Sequence, residues 1–266
     1  MKEDSHFVNV PLTLEVGDWS IRDDESFDQA EFLKRVKEYD GSPKSACPSP
    51  VEYMNELRGV DRAYIVTLSS QLSGSYNSAV LAKNLYEEEM EDGDEMPQVH
   101  VFDSKSASIG QTLIGQKIFE LEEEGKSFEE VIKETEAYIE SQHTFFLLES
   151  LETLRKAGRL SHIKSVIAST LNIKPVMGST PVGNIQQLST ARGMKKAMEK
   201  MVEQMLLVTE QTREKILAIS HCNNLSCAEM LKEIALSKVS YRDVIVVDTR
   251  GVSSLYANDG GLIMVI

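Results

Sequence analysis

The sequence predicts an α/β protein of two domains, and three observations carry that prediction. Short β-branched, apolar runs alternate with longer segments of helical periodicity. In the first half the order is strand, loop, helix, twice over, which favours a parallel sheet with right-handed crossovers. Past His143 the runs 174–178 and 184–188 flank Pro181-Val182-Gly183 and read as a hairpin, so this half is more antiparallel. A boundary near residue 142 divides the chain into 1–142 and 143–266. A chain of 266 residues buries a core large enough for either one large or two modest domains.

Taken in order, Phe7 to Val16 alternates as a strand, with Pro11 marking an edge or bend. Ser26 with Gln29 forms a capping box for a helix whose apolar face is Phe27, Ala30, Phe32, Leu33 and Val36, and Gly41 ends it. Residues 42–48 read as an irregular segment held by two prolines. Ser49-Pro50-Val51-Glu52 then opens a second helix with a cap, an N1 proline and Glu at N3. Strand Tyr64–Leu68 leads through a serine-rich turn into a helix over 77–86. Strand Val99–Phe102 leads through residues 103–108 into a helix ending near Glu124. Ser127 and Glu130 cap a further helix. Beyond it come strand 144–148, a short helix 151–156, a stop at Ala157-Gly158-Arg159 and a helix over 161–170. After the hairpin follow a helix over 191–209, strand 215–220, a helix over 224–237, strand 244–247 and a terminal strand 262–266.

Composition excludes several functions. The formal charge of -14, with acidic runs at 87–92 and 120–124, repels phosphate backbones and anionic lipid surfaces, so no nucleic acid is expected as a partner. No run reaches the ~18 consecutive apolar residues of a spanning helix, so no integral membrane segment is expected. The start, Met1-Lys2-Glu3-Asp4-Ser5, lacks the features of a signal peptide, and the expected location is the cytoplasm. Cys47, Cys222 and Cys227 have neither disulfide nor zinc spacing and read as reduced thiols. His6, His100, His143, His162 and His221 are scattered without HExxH or i, i+4 pairing, and no Gly-x-Ser-x-Gly elbow is present, so neither a metal site nor a serine hydrolase is expected.

The turn Ser69-Ser70-Gln71-Leu72-Ser73-Gly74-Ser75 is the leading candidate for a ligand site. It joins a strand end to a helix start, where free N–H groups and the helix dipole attract an anion. Its single glycine and missing Lys exclude a Walker loop and a dinucleotide fingerprint, so a small monoanion such as a carboxylate suits it better than a triphosphate. The competing reading is that these serines merely cap the helix and solvate a turn. An enzyme acting on a small phosphorylated or carboxylated metabolite at the 69–75 loop is the alternative function, with Arg159, Lys174 and Arg192 as sources of positive charge.

Several blocks resemble the DegV family in order and spacing. They are Val10-Pro11-Leu12, Pro43-Lys44-Ser45-Ala46-Cys47-Pro48-Ser49, residues 66–76 and 101–110, Ala157-Gly158-Arg159-Leu160-Ser161, and Leu171-Asn172-Ile173-Lys174-Pro175-Val176. Together they span almost the whole chain. The resemblance implies a DegV-like fold of two α/β domains, an N-terminal one with a parallel sheet and a C-terminal one with a mixed or antiparallel sheet. It implies a protein that binds a long-chain fatty acid and presents it to a separate ATP-dependent fatty-acid kinase, with no catalytic residues, metal or cofactor of its own. By the same resemblance the carboxylate is held between the domains by Ser45, Ser69, Ser70, Ser73 and Gly74, with Tyr256 where the family usually has His. The acyl chain then enters the second domain, where Phe145, Phe146, Ile163, Val166, Ile167, Leu171 and Ile173 are the expected lining residues; ordinary core packing is the competing reading for each.

The chain departs from the family in three places. Only nine residues precede Val10-Pro11-Leu12, so the usual first βα unit is expected to be missing. Ser45-Ala46 replaces the usual Thr-Ser, one hydroxyl fewer. Tyr256 replaces His, and Asp259 is expected to bring a negative charge near the head group.

Overall fold

The computed structural model describes residues 7–90, 97–161, 163 and 172–266. Strands β1 (Thr13–Val16) and β2 (Trp19–Arg22) form an antiparallel hairpin, and β3 (Lys44–Ala46) pairs antiparallel with the other side of β1. The expected first strand thus begins only at Thr13, beyond the proline that cannot donate to a ladder. The segment read as irregular contains β3, whose register sets Leu14 opposite Ser45. Helix α1 (Gln29–Glu38) is capped by Asp28, which accepts from the Glu31 N–H, and not by the expected Ser26–Gln29 box. Ser26 is drawn instead to the Asp24 carboxylate at 2.6 Å, and Gln29 donates to the Thr249 carbonyl at 2.6 Å.

Helix α2 (Pro50–Leu57) carries the expected Ser49–Glu52 capping box. Strands β4 (Arg62–Thr67) and β5 (Gln98–Asp103) pair in parallel, each followed by a helix, α3 (Ser75–Glu89) and α4 (Ile109–Glu123). Both connecting loops therefore sit at the carboxyl ends of parallel strands, where open α/β sheets place their ligands. Helix α5 (Phe128–Ser141) has the second expected box, Ser127 with Glu130.

The rest of the chain builds a six-stranded mixed sheet in the order β10-β9-β11-β6-β7-β8. Its strands are β6 (Thr144–Leu147), β7 (Ile173–Ser179), β8 (Ile185–Arg192), β9 (Ile216–His221), β10 (Asp243–Asp248) and β11 (Leu262–Val265). Only β9 and β10 run in parallel within it. One face packs on α7 (Met194–Val208) and α8 (Leu225–Leu236) through Phe145, Leu147, Met198, Met201 and Leu231, all buried. Burying each such side chain contributes about 1.5–3 kcal/mol. Helix α6 (Glu152–Lys156) follows β6 as expected, whereas the helix expected over 161–170 falls almost wholly outside the described residues. Helix α9 (Gly251–Ala257) was not anticipated: it has seven residues, too few for a period to declare itself, and begins with a glycine.

Candidate functional site

The period of two in β6 decides which side chains meet the site. Phe145 and Leu147 point into the α7/α8 core, so Thr144 and Phe146 face the other way. On that second face lies a cavity lined by Phe146, Leu148, Leu154, Ile185, Ile263 and Ala257 from the mixed sheet and its helices. Leu12, Leu68 and Leu72 close it from the other side. The empty space between these residues, counted together with its open mouth, is about 890 Å³. Among the described lining residues there is no His, Asp, Glu or Cys.

The cavity has a polar end built from four separate elements. Ser45 on β3 and Tyr256 on α9 share a hydrogen bond of 3.1 Å between their hydroxyls. Ser73 lies in the turn before α3; its hydroxyl accepts from the Ser75 N–H at 3.3 Å and lies 2.9 Å from the Ser75 hydroxyl. Arg159 donates from Nε to the Leu72 carbonyl at 3.0 Å and from Nη1 to the Ala157 carbonyl at 2.6 Å, with its Cζ 5.8 Å from the centre of the Tyr256 ring. All four side chains line the cavity. A guanidinium and three hydroxyls around an apolar void suit a ligand with an anionic head and an apolar body.

The remaining turn residues hold the loops in place. Ser69, fully buried, donates from its hydroxyl to the Gly183 carbonyl at 2.9 Å and from its N–H to the Ser106 carbonyl at 2.9 Å. Ser70 is bound through N–H and hydroxyl to the Asp103 carboxylate. Gly74 is the N-cap of α3, and a side chain there would meet the Cys47 sulfur. None of these three lines the cavity. Gly183 is required at its position: φ is +85°, and a Cβ would stand 2.3 Å from the Ser69 hydroxyl. Behind Ser73, the Tyr53 phenol is pushed up to about 12 by burial despite a hydrogen bond to Ser75.

The expected acyl-chain residues divide. Phe146 lines the cavity, and Ile163 packs against the same cluster and edges a shallower groove beside Thr180 and Val182. Phe145 faces the opposite side of the sheet, because adjacent residues on a strand point apart. Ile173, at the start of β7 opposite Arg192, does not line the cavity. Val166, Ile167 and Leu171 lie outside the described residues. Asp259 is exposed, accepts from Asn223 at 2.8 Å and does not line the cavity.

The sequence marks the hydroxyl-rich loop 103–108, with Ser106 and Ser108, as lying at the ligand end of its strand, and both line the cavity; it offers Arg159 only as a source of charge for a phosphate and does not single out Thr144 or Ser179, which line the cavity as well. A signal for Thr144 was present in the alternation of 144, 146 and 148. No signal linked Ser179, the last residue of β7, to them. Among the described residues no helix is long and apolar enough to cross a membrane, and no group of three or more His, Cys, Asp or Glu is placed to hold a metal.

Comparison with known proteins agrees with this architecture. The model of the DegV family, described as uncharacterised protein, matches residues 1–265. A DegV domain-containing protein of Streptococcus pneumoniae is 35% identical over 258 residues, covering 97% of this chain and 90% of its own length. Among solved structures, a DegV family protein from Ruminococcus gnavus, with vaccenic acid, is 49% identical at a TM-score of 0.92, covering 96% of this chain and 90% of that one. The fatty acid kinase (Fak) B3 protein of Streptococcus pneumoniae, loaded with linoleic acid, is 34% identical at a TM-score of 0.88, covering 97% and 90%.

Proposed function

Since the chain belongs to the DegV family, we propose that it binds a long-chain fatty acid and presents the carboxyl group to a separate ATP-dependent kinase. The observation that carries this reading is the apolar cavity whose polar end is made by Ser45, Ser73, Arg159 and Tyr256. The carboxylate is clamped there by hydroxyls and the guanidinium, and the acyl chain lies along Phe146, Leu148 and Ile263. Residues 1–142 supply the carboxylate loops and residues 143–266 the acyl pocket, Arg159 and Tyr256. Ser69, Ser70 and Gly74 shape the turn that holds Ser73.

Magnitudes separate the two contributions. At ~0.8 kcal/mol per buried CH₂, a long chain supplies an upper bound of roughly 10 kcal/mol before ordering costs. One hydrogen bond to a charged head group adds about 1.5–3 kcal/mol. The chain therefore gives affinity, and the head group gives orientation.

With phosphoryl transfer left to the kinase, the chain acts as a binding protein without catalytic groups of its own, in the cytoplasm where ATP is available. The vaccenic acid of the Ruminococcus gnavus relative and the linoleic acid of the Fak B3 protein support the ligand class, and the Fak B3 relative supports the kinase partner. Mass spectrometry of gently purified protein is expected to find a long-chain fatty acid; protein that is empty and binds no acyl chain in titration overturns the reading. Acyl phosphate is expected with ATP and a partner kinase only. Its formation by this chain alone reverses the assignment as a non-enzyme.

A further inference from the structure

Tyr256 stands at the polar end of the cavity on a helix that cannot hold itself. Helix α9 has seven residues, fewer than the ~12–15 below which an isolated helix is marginal in water. Arg250, at its N-cap, supplies no side-chain acceptor, and the Arg250 carbonyl serves the N–H groups of Ser253 and Ser254. The Val252 N–H belongs to the same turn, where the helix offers it no acceptor. It donates instead to the Asp23 carboxylate at 2.8 Å, from 229 positions away.

Asp23 is placed for this contact by its own backbone. It directly follows β2, its N–H donates to the Leu12 carbonyl at 2.9 Å, and its carbonyl accepts from the Asn9 amide at 2.7 Å. The carboxylate lies against Gly251, whose φ is +42° and where a Cβ would overlap it. Burial pushes the Asp23 carboxyl above its usual value, although the Val252 N–H and the Arg250 charge pull it down. Asp28, which caps α1 from the residue just before it, is by contrast exposed. Asp23 does not line the cavity.

The link from Asp23 to the head group is one helical turn. The α-helical pattern returns the N–H of residue 256 to the carbonyl of residue 252, and the two positions share one side of the helix. Leu255, fully buried, packs in the cluster that contains Leu14, Phe27 and Phe32. Leu14 on β1 stands opposite Ser45 on β3, and β2 lies on the other side of β1. The small sheet therefore grips α9 twice: Asp23 after β2 holds its first turn, and Ser45 meets the Tyr256 hydroxyl at 3.1 Å. Gln29 on the Thr249 carbonyl and Arg250 on the carbonyls of Asp24 and Glu25 hold the residues before the helix, whereas Asp23 holds an amide within it.

We infer that Asp23 is a positioning residue for fatty-acid recognition: its carboxylate caps α9 and so sets where the Tyr256 hydroxyl stands against the head group. This rests on the fatty-acid reading and adds to it a residue that does not touch the ligand.

Binding of octadecanoic acid and of octadecan-1-ol to the full, delipidated chain tests it, because the two ligands share an acyl chain and differ in the carboxylate. The parent is expected to prefer the acid at least tenfold, the scale of one hydrogen bond to a charged group. Asp23→Ala is expected to cut that preference about tenfold while affinity for the alcohol stays within twofold. Asp23→Asn, which keeps an acceptor oxygen at the same reach, is expected to restore it. Added to Tyr256→Phe, Asp23→Ala is expected to cost no further preference, since both act through one hydroxyl. Acid and alcohol affinities that fall in equal proportion mark a general structural role and overturn the assignment. An unchanged preference in Asp23→Ala, or losses that multiply in the double variant, overturn it as well. Asp23→Ser, too short to reach the Val252 N–H, reads the same quantity where the alanine variant does not fold. A parent that binds the acid no better than the alcohol, or binds neither, overturns the head-group reading itself, a result obtained before any variant is made.

Discussion

The hydroxyls of Ser45 and Tyr256 are 211 positions apart in the chain and 3.1 Å apart in space. One rides on a three-residue edge strand and the other on a seven-residue helix, so the contact joins the small N-terminal sheet to the segment before β11. Ser45→Ala and Tyr256→Phe are each expected to weaken binding of a long-chain fatty acid by roughly tenfold, since each removes a donor to a charged head group. Titration of delipidated protein measures this, and unchanged affinity in both variants moves the carboxylate elsewhere. Tyr256→His is expected to bind more tightly as pH falls through ~6.5, where imidazole gains a positive charge. A flat pH profile in that variant separates position 256 from the head group.

Phe145 and Phe146 are adjacent in sequence and belong to different cores. Either Phe→Ala change is expected to cost about 3–5 kcal/mol of stability in denaturant unfolding. Only Phe146→Leu, a milder change, is expected to alter fatty-acid affinity or chain-length preference, while Phe145→Leu leaves both in place. Equal effects of the two Leu variants on binding contradict the placement of the acyl chain along Phe146.

Gly183 combines a φ of +85° with Ser69 pressed against its open side. Gly183→Ala is expected to destabilise by about 1–3 kcal/mol and to displace Ser69 from the carbonyl it holds. Thermal unfolding reads the first effect. A variant as stable as the parent contradicts the close approach.

Glu52 carries a carboxyl lowered to about 2, first by the Ser49 N–H and then by Arg22. A depressed carboxyl stabilises the fold above its unfolded value of 4.5 and loses that contribution as pH falls toward about 2. With its side chain 35% exposed, the contribution after solvent screening is about 1 kcal/mol or less. Unfolding measured from pH 5 to pH 2 is expected to fall less steeply in Glu52→Gln than in the parent.

Local signals in the sequence were legible where the chain interacts with itself at short range. The Ser49–Glu52 and Ser127–Glu130 boxes are three-residue motifs and formed as written. The Ser26–Gln29 box was equally well formed on paper and lost to Asp24 and Thr249, the second of which lies 220 positions away. No window around Ser26 contains Thr249. Helix α9 escaped notice for a related reason: its Val252 N–H is held by Asp23 and its Arg250 by the carbonyls of Asp24 and Glu25, so remote partners fix its start.

By itself the sequence determined the α/β class, the strand-to-helix turns that present serines, and a charge balance that disfavours nucleic acid. Those properties depend on periodicity, turn chemistry and composition, which are readable along the chain. Tertiary structure decided which serines reach the cavity. Ser73 faces it, Ser69 and Ser70 are consumed by Gly183 and Asp103, and Thr144 enters through strand alternation. A hydroxyl can bind a neighbour or a ligand, and only the distances to its neighbours settle which.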